Sequence, residues 1–518
     1  MVAEVLSGMV HGITGEIITV QTDISEGLPM FNVIGYLSAE VKEAKERVRT
    51  ALKNSGFRLP PKRIAANLAP ADIRKSGTNF DLAIAVGLLA AMGLIAGERV
   101  KGILFLGELA LDGTLFPVTG VLPLLKAARE KGCISCILPA DNLEEASLLS
   151  GLRIFGFRHL KEVFLFLTTG ELSGGICTES NPPSFSMGKE IRSLSGEING
   201  SSAPDLAQVK GQAMAKRALE IAVSGFHNLF LDGPPGAGKT MLASCVPGIM
   251  PLMEEEEIID ATMIYSVRGL LENHFSPVSQ RPFRCPSSSV TMAGMFGGGR
   301  NPRPGEVSLA HHGVLFLDEF PEFKKEVIEM FRIPLEEHRI VQVRNGRTMV
   351  FPADFLFIAA ANPCPCGYYP DRKYCRCSKG QVTQYQSRIS GPILDRLDLF
   401  VRCDSLPYGV LLGEQKEETS KEVRQRIERV WKIQRMRYQK TKIKFNGRMG
   451  QKEMKRYCVL DHASQALLEK AFETFHMTGR TCHRILKVSR TIADMAGEEA
   501  IKKEHVQEAL LYRRTSFR

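Results

Sequence analysis

The sequence predicts an α/β protein that ends in a helical region. Short apolar runs typical of strands alternate with helical patterns over residues 1–168, and the same alternation returns over 205–404. Residues 405–518 carry helical periodicity throughout. The chain has 518 residues, enough for about three domains at about 100 to 200 residues each. A peptide, a small disulfide-rich protein and a fibrous repeat are excluded.

The N-terminal region, residues 1–168, is predicted to be an α/β domain. Its predicted strands are 17–20, 103–106 and 134–138, and its predicted helices are 39–54, 82–95 and 122–131. The longest apolar run, 82–97, has 16 residues between Asp81 and Glu98, fewer than the roughly 18 to 20 that a membrane-spanning helix needs. We therefore expect a buried helix, no membrane partner and, because the first residues lack a basic segment, a cytoplasmic protein.

Residues 169–204 are rich in Gly, Ser, Asn and Pro and poor in aliphatic side chains, which predicts a linker. The C-terminal region is expected to contain helices over 421–438, 464–475, 481–496 and 503–513. Twelve cysteines are too few for a disulfide scaffold of this length, so a cluster of them indicates metal binding or catalysis.

A phosphate-binding loop is predicted between an apolar strand at 228–232 and a helix that starts near 241. In this arrangement, backbone N–H groups at a helix N-terminus surround the β-phosphate of a nucleotide. The lysine reaches the β- and γ-phosphates, and the hydroxyl that follows it binds Mg²⁺. We expect ATP and Mg²⁺ as cofactors. The predicted contacts are Gly233, Pro234, Pro235, Gly236, Ala237, Gly238, Lys239 and Thr240.

Two further strands end in polar residues suited to ATP hydrolysis. The strand at 313–317 is followed by Asp318, a predicted Mg²⁺ ligand, and by Glu319, which would polarise the attacking water. The strand at 355–361 leads to Asn362, whose amide could orient water or the γ-phosphate. Taken alone, the first pattern is also typical of a strand that ends at the surface, and Asn362 of a turn before Pro363.

Arg396 follows a short predicted helix and is a candidate arginine finger. Such an arginine stabilises the transition state of phosphoryl transfer, and in a ring it comes from the neighbouring subunit. A surface ion pair is the alternative.

Four cysteines form a C-x-C-x8-C-x-C array directly after the third strand. Four thiolates on one short segment suit a tetrahedral structural Zn²⁺ site; free or redox-active thiols are the alternative. The predicted ligands are Cys364, Cys366, Cys375 and Cys377.

The positive charge of the chain is concentrated in one segment. Residues 421–456 hold 14 basic and three acidic side chains, a local net charge of +11 beside +10 for the whole chain. Trp431, Tyr438 and Phe445 are interleaved with them, which predicts phosphate contacts with some base stacking. A solvated helix face is the alternative.

Several motifs resemble the magnesium-chelatase-like ComM/YifB family of AAA+ ATPases. Besides the loop and strands above, they are VKGQ (209–212), RPFRCP (281–286), FGGGR (296–300), PGEVSLAHHG (304–313), DEFPEF (318–323), NLAPAD (67–72) and RILKVSRTIAD (484–494). The resemblance implies an AAA+ core with a parallel sheet, a C-terminal helical lid and a homo-hexameric ring. It also implies a motor like the bacterial ComM proteins, which are DNA branch-migration helicases that help to integrate transforming DNA.

By the same resemblance, Arg480 is the expected sensor-2 arginine of the lid, with Arg484 as the second candidate. The chain departs from the family pattern at Ser287 and Ser288, where a pair of histidines is expected.

The N-terminal segments 75–82, 107–113 and 117–120 resemble the protease domain of Lon, which uses a Ser-Lys dyad. Asn79 stands where the serine would fall, and no lysine occurs after Gly120 before Lys126. We expect a Lon-like fold without peptidase activity.

A hairpin predicted around Asn345 and Gly346, together with the glycine-rich segment 294–299, resembles the pore loops of this group of AAA+ proteins. Its arginines, Arg339, Arg344 and Arg347, are the predicted contacts to single-stranded or branched DNA. The alternative to a DNA motor is a chelatase-type subunit that remodels a partner protein or drives metal insertion.

Overall fold

The computed structural model describes residues 2–172, 174–178, 203–271, 277–299, 302–344, 346–411 and 417–513. Most of the predicted linker, residue 173 and residues 179–202, lies outside the described residues, as does Asn345 of the predicted hairpin turn.

The N-terminal region forms a mixed eight-stranded sheet in the order β10-β9-β8-β5-β1-β2-β4-β3. The strands of this sheet are β1 (Ala3–His11), β2 (Thr14–Ser25), β3 (Met30–Ile34), β4 (Arg63–Ala69), β5 (Ile103–Phe105), β8 (Ser135–Pro139), β9 (Arg153–Phe157) and β10 (Ile176–Thr178), and a small hairpin comprises β6 (Glu108–Leu109) and β7 (Leu115–Phe116). The helices are α1 (Ala39–Asn54), α2 (Asp81–Ala91), α3 (Val121–Glu130), α4 (Leu143–Ala146) and α5 (Leu160–Thr169).

Helix α2 is the predicted apolar helix, and it is buried from Asp81 to Ala90. It packs against β1 and β2, where its all-round apolar surface removes the helix from water. No described helix is both long and apolar enough to cross a membrane.

The central region is built on a five-stranded parallel sheet in the order β12-β13-β16-β11-β17. Its strands are β11 (Leu229–Asp232), β12 (Phe283–Arg284), β13 (Val314–Leu317), β16 (Leu356–Ala361) and β17 (Leu399–Arg402), and a hairpin of β14 (Arg339–Arg344) and β15 (Arg347–Pro352) projects from it. The helices are α6 (Ala213–Gly225), α7 (Lys239–Ser244), α8 (Val246–Ile249), α9 (Glu255–Arg268), α10 (Met292–Phe296), α11 (Glu306–Leu309), α12 (Lys325–Met330), α13 (Pro334–Glu337), α14 (Lys379–Gln386), α15 (Gly391–Leu394) and α16 (Tyr408–Leu411). Separate apolar clusters cover the two faces of the sheet, as expected for an α/β core.

The C-terminal region is helical, as predicted. Its helices are α17 (Ser420–Tyr438), α18 (Gln451–Tyr457), α19 (His462–Thr474), α20 (Gly479–Met495) and α21 (Lys503–Leu511). They share one apolar cluster with α6 and one face of the parallel sheet.

The aromatic side chains of the basic segment belong to this core, and the prediction that they stack on DNA bases is wrong. Trp431, Tyr438 and Phe445 are at most 7% exposed. The Trp431 indole N–H donates to the Val223 carbonyl at 3.1 Å. The 3.6-residue helical period places Trp431 and Tyr438 on the inward face of α17, and Phe445 lies in the segment that follows the helix. All three rings pack in the core, away from water.

Among the residues that the structure describes, the N-terminal region contacts the central region at two places. Ile13, in the β1–β2 turn, packs against the cluster that contains Met349 and Phe351 of β15. On the other side, Ser266 of α9 donates a hydrogen bond to the buried Glu145 carboxylate of α4.

Candidate functional site

The predicted phosphate-binding loop connects β11 to α7. Gly236 and Gly238 have φ of 77° and 82°, a left-handed conformation that favours glycine. At Gly233 a Cβ atom would lie 2.1 Å from the Cys403 carbonyl oxygen, so a larger residue would push the loop away from β17. The loop therefore requires glycine at these positions for its own geometry.

Lys239 is the most buried polar group of the loop, 7% exposed. Its Nζ donates to the carbonyls of Gly233 and Pro234 at 2.7 and 2.9 Å, and to Asn362 Oδ1 at 3.1 Å. Burial lowers the pKa of Lys239, and nearby Asp318 and Glu319 act in the opposite direction. The lysine and the amide at the end of the third predicted strand are thus in direct contact.

The two predicted Mg²⁺ ligands also meet. Thr240 Oγ1 donates to Asp318 Oδ2 at 2.6 Å, although the residues are 78 positions apart in sequence. Asp318 Oδ1 accepts the backbone N–H of Glu319 at 2.9 Å. Glu319 is exposed and has a φ of 49°, a left-handed conformation that turns the chain at the end of β13.

The parallel register explains why these residues come together. In the strand register, Asp232 of β11 lies opposite Ala361 of β16, and Leu317 of β13 lies opposite Ala359 of β16. The three strands therefore end at one edge of the sheet, where ligand sites of open α/β sheets form. A hydroxyl, two carboxylates, an ammonium and an amide on one edge fit Mg²⁺ and a triphosphate.

A cavity of about 730 Å³ lies beside this edge, lined by Gln212, Asp232, Arg402 and Asp404 among others. The Gln212 amide donates to the Ala237 and Asp404 carbonyls at 3.1 and 2.7 Å. The VKGQ motif is thereby joined to the phosphate-binding loop.

The three predicted arginines lie elsewhere, together in a basin of about 420 Å³. Arg396, Arg480 and Arg484 line this basin with Asn228, which precedes β11. Asp232 lies four residue steps along the chain from Asn228, about 13 Å at the rise of a strand. The structure thus brings these arginines to each other and to the edge of the sheet opposite the phosphate-binding loop of the same chain.

Arg396 and Arg484 both have carboxylate partners. The Arg396 guanidinium pairs with Glu336 and donates to the Arg332 carbonyl at 3.1 Å, so the surface ion pair is present in this chain. Arg484 Nη1 lies 2.5 Å from Asp398 Oδ1. Burial alone would raise the pKa of Asp398, but Arg484 and His227 hold it far below its usual value.

Sequence reasoning missed the other basic side chains of this basin. Lys487, one turn after Arg484 on α20, donates to the Gly447 carbonyl at 3.1 Å, and burial lowers its pKa. Arg448 pairs with Asp354 at 2.8 Å. The helical spacing of Arg484 and Lys487 was the one signal in the sequence that they share a face.

The four clustered cysteines converge. The Sγ atoms of Cys364, Cys366 and Cys375 are 3.4 to 3.8 Å apart, and all four Sγ atoms, including that of Cys377, lie within 4.8 Å of one another. Zn–S bonds of about 2.3 Å in a tetrahedron place the sulfurs about 3.8 Å apart. The four thiols therefore fit a zinc ion.

The cysteine loop also touches the nucleotide loop. A Cβ atom at Gly367 would lie 2.5 Å from Pro235 Cδ, so the two backbones approach closely at this position. The position of Pro235 thus depends on the conformation of the cysteine loop.

The hairpin arginines differ in their surroundings. Arg339 pairs with Glu337 at 3.1 Å. Arg347 pairs with Glu16 and Asp72 of the N-terminal region at 3.1 and 3.2 Å. Arg344 is exposed, without an ion pair to any residue that the structure describes.

The basic segment is partly neutralised. Arg426, Arg435, Arg437, Lys444 and Arg448 form salt bridges, and Arg424 donates to the Gly248 carbonyl at 2.9 Å. The remaining basic residues are exposed and without salt bridges to described residues: Lys421, Arg429, Lys432, Lys440, Lys442, Lys452, Lys455 and Arg456.

At the Lon-like position the chain has the largely buried Asn79, whose carbonyl accepts from Ser7 Oγ and the Gly107 N–H. The nearby Lys75 is fully buried and donates to the Pro70 carbonyl. At the position where a histidine pair is expected, the Ser287 hydroxyl lies 2.7 Å from that of Ser289.

Comparison with known proteins covers nearly the whole chain. The family "Magnesium chelatase, subunit ChlI" matches residues 205–411, "Subunit ChlI of Mg-chelatase" matches 20–142, and "Magnesium chelatase, subunit ChlI C-terminal" matches 417–513. The chain is 42% identical to Competence protein ComM of Haemophilus influenzae, over 97% of this chain and 95% of that protein. It is 39% identical to the uncharacterized protein YifB of Salmonella typhimurium, with the same coverage.

A further relative matches a shorter part of the chain. Over 124 residues, 24% of this chain and 22% of that protein, the chain is 30% identical to Lon protease 2 of Bacillus subtilis. With its parallel nucleotide-binding sheet, Lon-like N-terminal region and C-terminal helices, the chain belongs to the ComM/YifB family of magnesium-chelatase-like AAA+ proteins.

Proposed function

We propose that this protein is an ATP-driven hexameric ring motor that acts on DNA, as a branch-migration helicase or translocase in the recombination of transforming DNA. The observation that carries the motor is the edge of the parallel sheet, where Thr240 meets Asp318 and Lys239 meets Asn362. The name of the Haemophilus relative, a competence protein, supports the DNA pathway.

Each residue at this edge has a proposed role in ATP hydrolysis. Lys239 and the backbone of 233–240 bind the phosphates, and Thr240 and Asp318 bind Mg²⁺, which neutralises phosphate charge. Glu319 accepts a proton from the attacking water, and Asn362 orients that water or the γ-phosphate. The cavity beside Gln212 and Asp404 receives the adenosine.

The arginine basin acts on the nucleotide of a neighbouring subunit. Arg396, Arg480 and Arg484 line one basin, and the length of β11 separates them from their own phosphate-binding loop. In a head-to-tail ring, one edge of each subunit faces the opposite edge of the next. Arg396 is therefore proposed as the arginine finger and Arg480 as the sensor-2 residue. Arg484, the second sensor-2 candidate, is positioned by its ion pair with Asp398.

Each region has a proposed role. Residues 205–404 form the motor core with a zinc-stabilised loop, and residues 405–518 form the lid. Residues 1–168 form a Lon-like domain without the catalytic dyad, which the linker 169–204 joins to the motor core. Arg339, Arg344 and Arg347 are the proposed DNA contacts, and Arg344 is the one whose charge no described carboxylate offsets.

A second candidate is a chelatase-type motor subunit that remodels a protein partner or drives metal insertion. The match of the three magnesium chelatase descriptions to residues 20–142, 205–411 and 417–513 favours it. Both candidates hydrolyse ATP, so only the partner distinguishes them.

The decisive assay follows a labelled three- or four-way DNA junction with ATP, and uses Lys239→Ala as the blank. The DNA motor predicts ATP-dependent conversion of the junction into its recombined strands by the wild type alone. Intact junctions in every reaction, with ATP hydrolysis still present, would contradict the DNA motor and favour the chelatase-type subunit.

A further inference from the structure

A cleft of about 130 Å³ separates the hairpin β14–β15 from the N-terminal sheet. Its lining includes Tyr36, Asp72 and Arg74 on one side and Arg344 and Arg347 on the other. The two walls thus belong to regions that lie far apart in sequence, and neither wall alone forms the cleft.

Backbone hydrogen bonds fix the N-terminal wall. The Lys75 N–H donates to the Tyr36 carbonyl at 2.8 Å, and the Ser38 N–H donates to the Lys75 carbonyl at 2.9 Å. This pairing sets Tyr36 beside Arg74, whose guanidinium carbon lies 5.9 Å from the centre of the tyrosine ring.

The Tyr36 ring is available to a ligand, since 52% of the residue is exposed. An exposed aromatic ring next to an arginine is the arrangement on which proteins stack unpaired bases and hold the adjoining phosphate.

On the hairpin wall, Arg347 and Arg344 serve different purposes. Arg347 donates to both carboxylate oxygens of Glu16 at 3.2 and 3.1 Å and to Asp72 at 3.2 Å, so two acidic groups neutralise it. The backbone of Arg344 pairs with that of Arg347 across the hairpin, and the Arg344 side chain is exposed. Arg347 therefore anchors the hairpin to the N-terminal region and leaves Arg344 with its charge at the mouth of the cleft.

We propose that this cleft is a binding site for single-stranded DNA, shared between the Lon-like region and the hairpin. Tyr36 stacks on an unpaired base, and Arg74 and Arg344 contact the phosphates on either side of it. The proposal rests on the proposed DNA motor and extends it, because it assigns DNA contacts to the N-terminal region.

The test measures the affinity of the full-length protein for a fluorescein-labelled oligonucleotide, single-stranded or annealed into a duplex. The variants are Tyr36→Ala, Tyr36→Phe, Arg74→Gln and Arg344→Gln. Arg49→Gln is the matched control, because Arg49 is an exposed arginine on α1 outside the cleft. Basal ATP hydrolysis reports that each variant is folded.

Tyr36→Ala should weaken single-strand binding about tenfold, the loss of one stacked base, and leave duplex binding unchanged because duplex bases are not accessible. Tyr36→Phe keeps the ring and should restore the wild-type affinity. Arg74→Gln should lower the slope of log affinity against log salt concentration by about 0.7, the loss of one phosphate contact. Arg49→Gln should match the wild type.

If Tyr36→Ala and Arg74→Gln both bind single-stranded DNA with the wild-type affinity, the proposed DNA-binding site in the cleft is wrong. If Arg344→Gln alone then weakens binding, the DNA motor stands without the N-terminal contact. A wild-type protein that does not bind the single-stranded oligonucleotide would refute the proposed site in the cleft, and the junction assay would separately decide the DNA motor.

Discussion

Thr240 Oγ1 donates a hydrogen bond of 2.6 Å to Asp318 Oδ2 and so joins the phosphate-binding loop to the end of β13. Both oxygens are ligands that Mg²⁺ prefers. The exposed Glu319 follows Asp318 directly, at the same edge of the sheet.

Glu319→Gln should reduce ATP hydrolysis by about a hundredfold or more and leave ATP binding intact. The amide cannot accept the proton of the attacking water, while Lys239, Thr240 and Asp318 remain in place. Steady-state hydrolysis and equilibrium binding of labelled ATP measure the two effects. Glu326→Gln, at an exposed position of α12, is the control and should behave as the wild type. Undiminished hydrolysis in Glu319→Gln would remove this residue from the mechanism.

An equimolar mixture of Lys239→Ala and Arg396→Ala chains should regain about a quarter of the wild-type hydrolysis rate, although each variant alone is inactive. That is the share of head-to-tail interfaces that join an intact loop to an intact arginine. Lys239→Ala mixed with Glu319→Gln is the control and should stay inactive, because both changes affect the same edge of the sheet. No recovery in the first mixture would mean that Arg396 does not act on a neighbouring subunit.

The purified protein should contain about one zinc ion per chain, held by the four cysteines. Cys366→Ser should abolish zinc binding and lower the thermal unfolding midpoint, while Cys285→Ser, at an exposed site outside the cluster, should change neither. Elemental analysis and thermal unfolding with and without a chelator measure this. Because Gly367 packs on Pro235, zinc loss should also weaken ATP binding. A zinc-free protein, or Cys366→Ser with wild-type stability in chelator, would contradict the zinc site.

Stability should fall as the pH is lowered from about 6.5 towards 4. Burial lowers the pKa of His311 from 6.5 to about 4, so the unfolded chain takes up its proton first and acid favours unfolding. The contribution of His311 is about 3 kcal/mol at most. His311→Gln should make the unfolding midpoint less dependent on pH in this window. His462→Gln, at an exposed position, should leave the dependence unchanged. Equal slopes in all three proteins would refute the role of His311.

The phosphate-binding loop and the two strands after it could be predicted because their chemistry is contiguous. Residues 233–240 carry their glycines, lysine and threonine in one run, and Asp318 and Asn362 each follow an apolar strand. Parallel pairing then brings the strand ends together without further information from the sequence.

The partners of the arginines could not be predicted, since they depend on contacts between distant segments. Arg347 meets Glu16 across 331 positions, and Arg484 meets Asp398 across 86. The prediction that the aromatic residues of the basic segment stack on bases was wrong for a related reason. A helix with a charged face also has an apolar face, and the sequence alone does not say that Trp431 packs against α6.

The central claim, an ATP-driven motor that acts on DNA, is tested most directly by the rate of ATP hydrolysis with and without DNA. Single-stranded, duplex and junction DNA should be compared for the wild type and for Arg344→Gln, with Lys239→Ala as the blank. We expect DNA to stimulate the wild type, and Arg344→Gln to keep the basal rate and lose the stimulation. A wild-type rate that no form of DNA changes would contradict the claim.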